Sequence, residues 1–184
     1  MIYGERIRLR AVEREDIPRF VVWLNDPEVI AGILINLPMS SADETRWFED
    51  LAKRTPEERG LAVEMKTSDG GWKHIGSVGF QRLEWANRLA EFGIFIGEKA
   101  LWNQGYGSEA TRLMVKHGFE TLNLNRIYLH VYETNPRAIR AYEKVGFVKE
   151  GILREARYQN GVYINVLLMS ILRAEWDAIQ NQAP

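Results

Sequence analysis

Residues 101–110 read LWNQGYGSEA, and within them Gly105-Tyr106-Gly107-Ser108-Glu109-Ala110 has the spacing G-x-G-x-x-A. Glycines at that interval let a backbone approach a ligand closely. The first free amides of a helix behind them, backed by its dipole, make a site for an anion such as a pyrophosphate. The same spacing marks dinucleotide-binding turns, with Glu133 after the next strand as a ribose-binding acid. Context argues against that reading. A dinucleotide turn needs its glycines directly after a strand, whereas EKALWNQ separates Gly97 from Gly105. It also needs repeated β-α-β units, and here hairpins stand before and after the crossover. The anion site survives the objection and the dinucleotide does not.

Any such site must be local. The chain carries 24 Lys and Arg against 25 Asp and Glu, so no basic field draws it to nucleic acid or to an anionic membrane. The absence of cysteine excludes a disulfide framework, a thiolate nucleophile and a Cys-ligated metal, and His74, His117 and His130 have no ligand spacing, so no metal is expected. The start MIYGERIRLRAVERED has no apolar signal core, and no apolar run approaches the ~20 residues of a membrane span, so a soluble cytoplasmic protein is expected. A chain of 184 residues with 46% hydrophobic composition suits one domain, residues 1–184, around a sizeable core.

The elements that must position the loop follow from periodicity. Arg6 to Arg10 alternates as a strand, and REDIPRFVVWLND shifts to a helical pattern ended at Asp26-Pro27. Ser41-Ala42-Asp43-Glu44 fits a capping box that starts a helix running to about Lys53. The apolar, aperiodic stretch EVIAGILINLPMS lies between these helices and reads as core packing or as a pocket wall. LAVEMKT, the turn Asp69-Gly70-Gly71 and WKHIGSVGFQRLEW make a hairpin, and RLAEFGIFIG adds a neighbouring strand. After the glycine loop, Ala110, Leu113, Met114, Gly118 and Leu122 share a helical face, and RIYLHVY alternates as a strand, which completes a β-α-β crossover. Asn135 and Pro136 suit the cap and first position of another helix, and Gly146 suits its left-handed stop. The chain closes on a long hairpin turned at Asn160-Gly161, with the last few residues frayed.

Two blocks in this order, WNQGYGSEA and NPRAIRAYEKVGF, with RIYLHVY between them, resemble the acetyl-CoA core of the GNAT acetyltransferase superfamily. The family loop Q/R-x-x-G-x-G/A is matched by Trp102-Asn103-Gln104-Gly105-Tyr106-Gly107 except at Trp102. That departure resembles the branch of ribosomal-protein N-terminal and spermidine/spermine N-acetyltransferases. The second block, N-x-x-A-x-x-x-Y-x-x-x-G-F, is matched by Asn135, Ala138, Tyr142, Gly146 and Phe147. The resemblance covers Leu61 to Leu172 closely and the N-terminal part more loosely. It implies a mixed α/β fold of the α+β type, with a mostly antiparallel, splayed sheet flanked by helices.

It also implies a coenzyme site. The pyrophosphate of acetyl-CoA would lie on the amides of Gln104 to Ser108, within the loop from Trp102 through Asn103, Gly105, Tyr106 and Gly107. The pantetheine arm would bond like an extra strand to backbone around Phe95, Ile96 and Gly97, which would direct an N–H at the thioester oxygen. Asn135 would contact the coenzyme while capping its helix. An amine acceptor must attack uncharged and expel a thiolate, so two proton transfers are implied. Tyr142 stands where the family places the tyrosine that protonates the departing sulfur. With ordinary pKa values of about 10 and about 8.5, that transfer is uphill by roughly 2 kcal/mol. Glu91 resembles the position that takes the amine's proton through water, with Glu84 and His130 as alternatives. The partners expected are acetyl-CoA and a primary amine, a protein N-terminus or a hydrophobic small amine. A polyamine acceptor and a non-catalytic acyl-CoA-binding module remain as alternatives, and a homodimer is left open.

Overall fold

The computed structural model describes residues 1–33 and 38–182. In chain order its elements are β1 (Ile2–Tyr3), β2 (Ile7–Ala11), α1 (Ile17–Trp23), α2 (Pro27–Ile30), α3 (Ser41–Leu51), β3 (Leu61–Lys66), β4 (Trp72–Glu84), β5 (Leu89–Ile96), α4 (Tyr106–Lys116), β6 (Arg126–Tyr132), α5 (Pro136–Glu143), β7 (Val148–Gln159), β8 (Val162–Leu172) and α6 (Arg173–Gln182). The strands form one sheet in the order β1-β2-β3-β4-β5-β6-β8-β7. Each neighbouring pair is antiparallel except β5 and β6, which run parallel and pair only at Leu89–Arg126, Ala90–Ile127 and Glu91–Tyr128. Beyond Glu91 the two strands separate, so the mixed, mostly antiparallel and splayed sheet expected from the sequence is the one observed.

Strand alternation divides the core between the two faces of the sheet. On β3, Val63 belongs to a cluster with Ile7, Ile127, Met114, Phe119 and Met169, under α4 and α5. Its neighbour Ala62 points the other way, into a smaller cluster with Phe20, Trp23 and Leu51 from α1 and α3. Past Lys116, α4 widens into a π-turn over His117–Thr121, where a Cβ on Gly118 would stand 2.8 Å from both Ile127 and Phe80.

Two local expectations need correction. The capping box begins one residue earlier: Ser40 Oγ accepts from the Asp43 amide at 3.1 Å, and the Asp43 carboxylate accepts from the Ser40 amide at 3.1 Å. Asp43 is thereby the reciprocal cap, and Glu44 is released to turn inward. A short helix, α2, follows Asp26-Pro27 where the sequence suggested only a stop. Helix α6, which the sequence reading did not include, buries Trp176 against Phe119 with ring centroids 6.2 Å apart. Of the apolar stretch after α2, Leu34 to Leu37 lie outside the described residues.

Candidate active site

The separation of β5 from β6 opens the interior. One cavity of about 220 Å³ lies between the strand ends and the start of α4, and a second of about 470 Å³ lies between the same strands and α1, α3 and β4. They meet at Ile33, Ile94, Phe95, His130 and Tyr142, which line both.

The first cavity is floored by the glycine loop. Gly105 holds φ +87°, left-handed backbone that favours glycine, and it is the N-cap of α4. A glycine cap offers no side chain to the first amides of the helix, so they stay free for an anion. The loop is held from outside. Arg6 donates to both oxygens of Glu109 at 2.9 Å and to the Gln104 carbonyl at 3.0 Å, and its guanidinium lies 4.7 Å over the Tyr106 ring. Trp102 donates its indole N–H to the Ile96 carbonyl at 2.7 Å, locking the end of β5 to the loop. These residues fit a pyrophosphate-bearing cofactor.

Most of the residues expected to contact the coenzyme come together here. Phe95, Ile96, Trp102, Asn103, Gly105, Tyr106, Gly107, Ser108 and Asn135 all line this cavity. Gln104 and Gly97 do not: the Gln104 side chain turns away to the Ala100 carbonyl, and a Cβ on Gly97 would run into the Trp23 ring. The backbone of β5 also divides. Gly97 N–H donates to Ile75 of β4 and the Arg88 carbonyl accepts from Asn125 next to β6, so alternation sends the Ile94 and Ile96 amides into the opening and the Phe95 amide toward β4. Asn135 keeps its capping bond, accepting from Ala138 N–H at 3.1 Å.

Tyr142 reaches the junction from α5. It is buried, its ring packs edge-on against Phe92 at 6.1 Å, and among the described residues its hydroxyl has no hydrogen-bond partner. Burial pushes that hydroxyl up to about 12. Glu91, also buried, lines the second cavity and accepts from His130 Nδ1 at 2.8 Å. Arg82 stands 3.0 Å from its other oxygen, at ion-pair distance without hydrogen-bond alignment. His130 lines both cavities. Glu84 accepts from Asn87 and lines neither cavity.

The second cavity has aromatic walls from Phe20, Trp47, Phe80 and Phe92. Among them stands Glu44, 3% exposed, without a cationic partner among the described residues. Burial first, and then the charge of Asp43, raises its carboxyl above the usual range. The capping box read from the sequence gave Glu44 to the helix end, whereas the structure places it on the cavity lining. Among the described residues, no group of three or more His, Asp or Glu side chains could hold a metal ion.

Comparison with known proteins agrees with this geometry. The model of the acetyltransferase (GNAT) domain matches residues 6–148. The chain is 35% identical over 175 residues to the spermidine N(1)-acetyltransferase of Vibrio cholerae, covering 94% of this chain and 96% of that protein. It is 28% identical over 182 residues to a putative ribosomal N-acetyltransferase of Bacillus subtilis, YdaF, covering 95% of each. Its fold superposes with TM-score 0.81 and 31% identity on the crystal structure of the Vibrio cholerae spermidine N-acetyltransferase in complex with CoA and spermine, over 94% of this chain and 99% of that one. The chain therefore belongs to the GNAT acetyltransferase family. It is an acetyl-CoA-dependent N-acetyltransferase.

Proposed function

We propose that the acceptor is a primary amine carried on an apolar body, a peptide N-terminus or a hydrophobic small amine. The observation that carries this reading is the composition of the second cavity, where the aromatic walls offer a few scattered carboxylates. Of those, Glu91 already faces His130 and Arg82, which leaves Glu44 and Glu58, with Arg54 also on the lining. That balance suits one positive charge beside apolar surface better than several, since each cationic nitrogen loses water on entry.

In this reading the free amides of α4 and the Ile96 amide hold and orient the coenzyme. His130 and Glu91 together take the proton from the attacking amine, and Tyr142 supplies one to the departing sulfur. With its hydroxyl pushed up to about 12, Tyr142 stays a neutral donor at every working pH. The transfer to a thiolate of pKa about 8.5 is then uphill by roughly 5 kcal/mol, more than an unperturbed tyrosine would give, because burial penalises the phenolate. That still lies within a catalytic barrier.

A polyamine acceptor is the second reading. Glu44 and Glu58 on the cavity lining favour it, as does the likeness to spermidine acetyltransferases. Measuring kcat/KM for spermidine beside short peptides with free N-termini and a hydrophobic monoamine decides between the two. Preference for peptide or monoamine upholds the first reading, and a clear preference for spermidine replaces it. A cytoplasmic location fits the cysteine-free chain. A homodimer fits the edge strand β7, which exposes Val148, Ile152, Leu153 and Tyr158.

A further inference from the structure

Arg137 is the second residue of α5, and its guanidinium lies 3.6 Å from the centroid of the Trp102 ring. Several arginines near the sheet are matched to carboxylates, Arg6 to Glu109, Arg10 to Asp16 and Glu64, Arg126 to Glu150. Arg137 differs, since among the described residues no carboxylate stands within ion-pair distance of it. Its pKa is moved by burial alone, downward, with no acidic neighbour contributing. A guanidinium keeps its charge under such conditions, so a half-buried cation is held against an indole with its donors uncommitted.

Position tells what it is for. Arg137 and Trp102 line the first cavity and are absent from the lining of the second. The free amides behind Gly105 line that same cavity. A cationic amine would be repelled there, whereas a phosphate would meet helix amides and a planar fork of N–H donors. We propose that Arg137 binds a phosphate of the coenzyme, with the Trp102 indole as the platform that fixes its guanidinium. Trp102 stands where the family loop carries Gln or Arg, so the polar group missing from the loop is supplied from α5. The inference rests on the coenzyme occupying this cavity, and it names a residue that the two sequence blocks did not single out.

The test is calorimetric binding of acetyl-CoA, its 3′-dephospho form and S-acetylpantetheine to the wild type, Arg137→Gln and Arg137→Lys. The glutamine variant should weaken acetyl-CoA binding by about 10- to 100-fold and raise KM, with kcat at saturation changed by less than about two-fold. Lysine should recover part of the loss through charge without the fork. The penalty should vanish on S-acetylpantetheine, which has no phosphate. Its loss already on the 3′-dephospho form would assign the 3′-phosphate, and its persistence there the pyrophosphate. Unchanged acetyl-CoA binding in Arg137→Gln, or an equal penalty on S-acetylpantetheine, overturns the proposal while leaving the coenzyme site in place. A wild type that binds acetyl-CoA and S-acetylpantetheine alike removes the phosphates from this cavity, and the proposal with them.

Discussion

His130, two residues past the last paired rung of β5 and β6, meets Glu91 of that rung at 2.8 Å, so the hydrogen bond between them sits where the strands part. The last rung, Glu91 with Tyr128, sets Glu91 beside the β6 face that also carries His130. The ring bridges the buried carboxylate and the opening.

Because the two side chains share one hydrogen bond, they should act as a unit. Glu91→Gln and His130→Gln are each expected to lower kcat/KM by about 10²-fold or more, and the double variant by little beyond the worse single one. Steady-state kinetics on all four proteins measures the coupling. Full additivity would mean that the residues act separately.

Tyr142→Phe keeps the ring packed against Phe92 and removes the donor. Folding and acetyl-CoA affinity should persist while kcat falls by about 10²-fold or more. The sign of its pH dependence follows from burial: a hydroxyl raised to about 12 retains its proton below that pH. Tyr142 should therefore contribute no alkaline limb up to pH of about 10.5, and kcat/KM should rise with pH as the acceptor amine deprotonates. A fall near pH 10 that disappears in the phenylalanine variant would contradict the buried-donor assignment.

Gly105→Val should abolish measurable acetyl-CoA binding. A β-branched residue is strained at φ +87°, and its Cβ would press to 3.2 Å of the Arg6 guanidinium that ties the loop down. Titration of the wild type with acetyl-CoA and NADH checks the accompanying expectation, saturable binding of the first alone.

Trp176→Ala should lower stability by roughly 3–5 kcal/mol, since it empties a fully buried indole site under α6. Denaturant unfolding gives the value. A loss below about 1 kcal/mol would show that α6 adds little to the fold.

The sequence made the glycine loop, the Asn135 cap and the Asn160-Gly161 turn legible because each depends on a few adjacent residues with narrow backbone preferences. The order of strand types was readable for the same reason. What could not be read depends on register and on choices between equivalents. The capping box starts at Ser40 and not at Ser41, and that one-residue shift sets Glu44 toward the second cavity. The meeting of Glu91 with His130 requires knowing that β5 and β6 pair at Leu89 with Arg126, a fact carried by no local pattern. The stacking of Arg137 on Trp102 joins residues 35 positions apart through the closure of the loop onto α5. Helix α6 went unseen because RAEWDAIQNQ has few apolar positions and relies on Trp176 for its anchor.

The three-rung pairing of β5 with β6 has a thermodynamic side. Past Glu91, the peptide groups that face the opening on both strands lose their ladder partners inside the sheet, as on an outer edge strand. A ligand that hydrogen-bonds to them acts on the folded chain and not on the unfolded one. Coenzyme supply and the lifetime of the fold are thereby linked by mass action. At a free acetyl-CoA concentration of about 100 times Kd the folded state gains roughly 2.7 kcal/mol. Resistance to heat and proteolysis should then follow the acetyl-CoA level, independently of any acceptor.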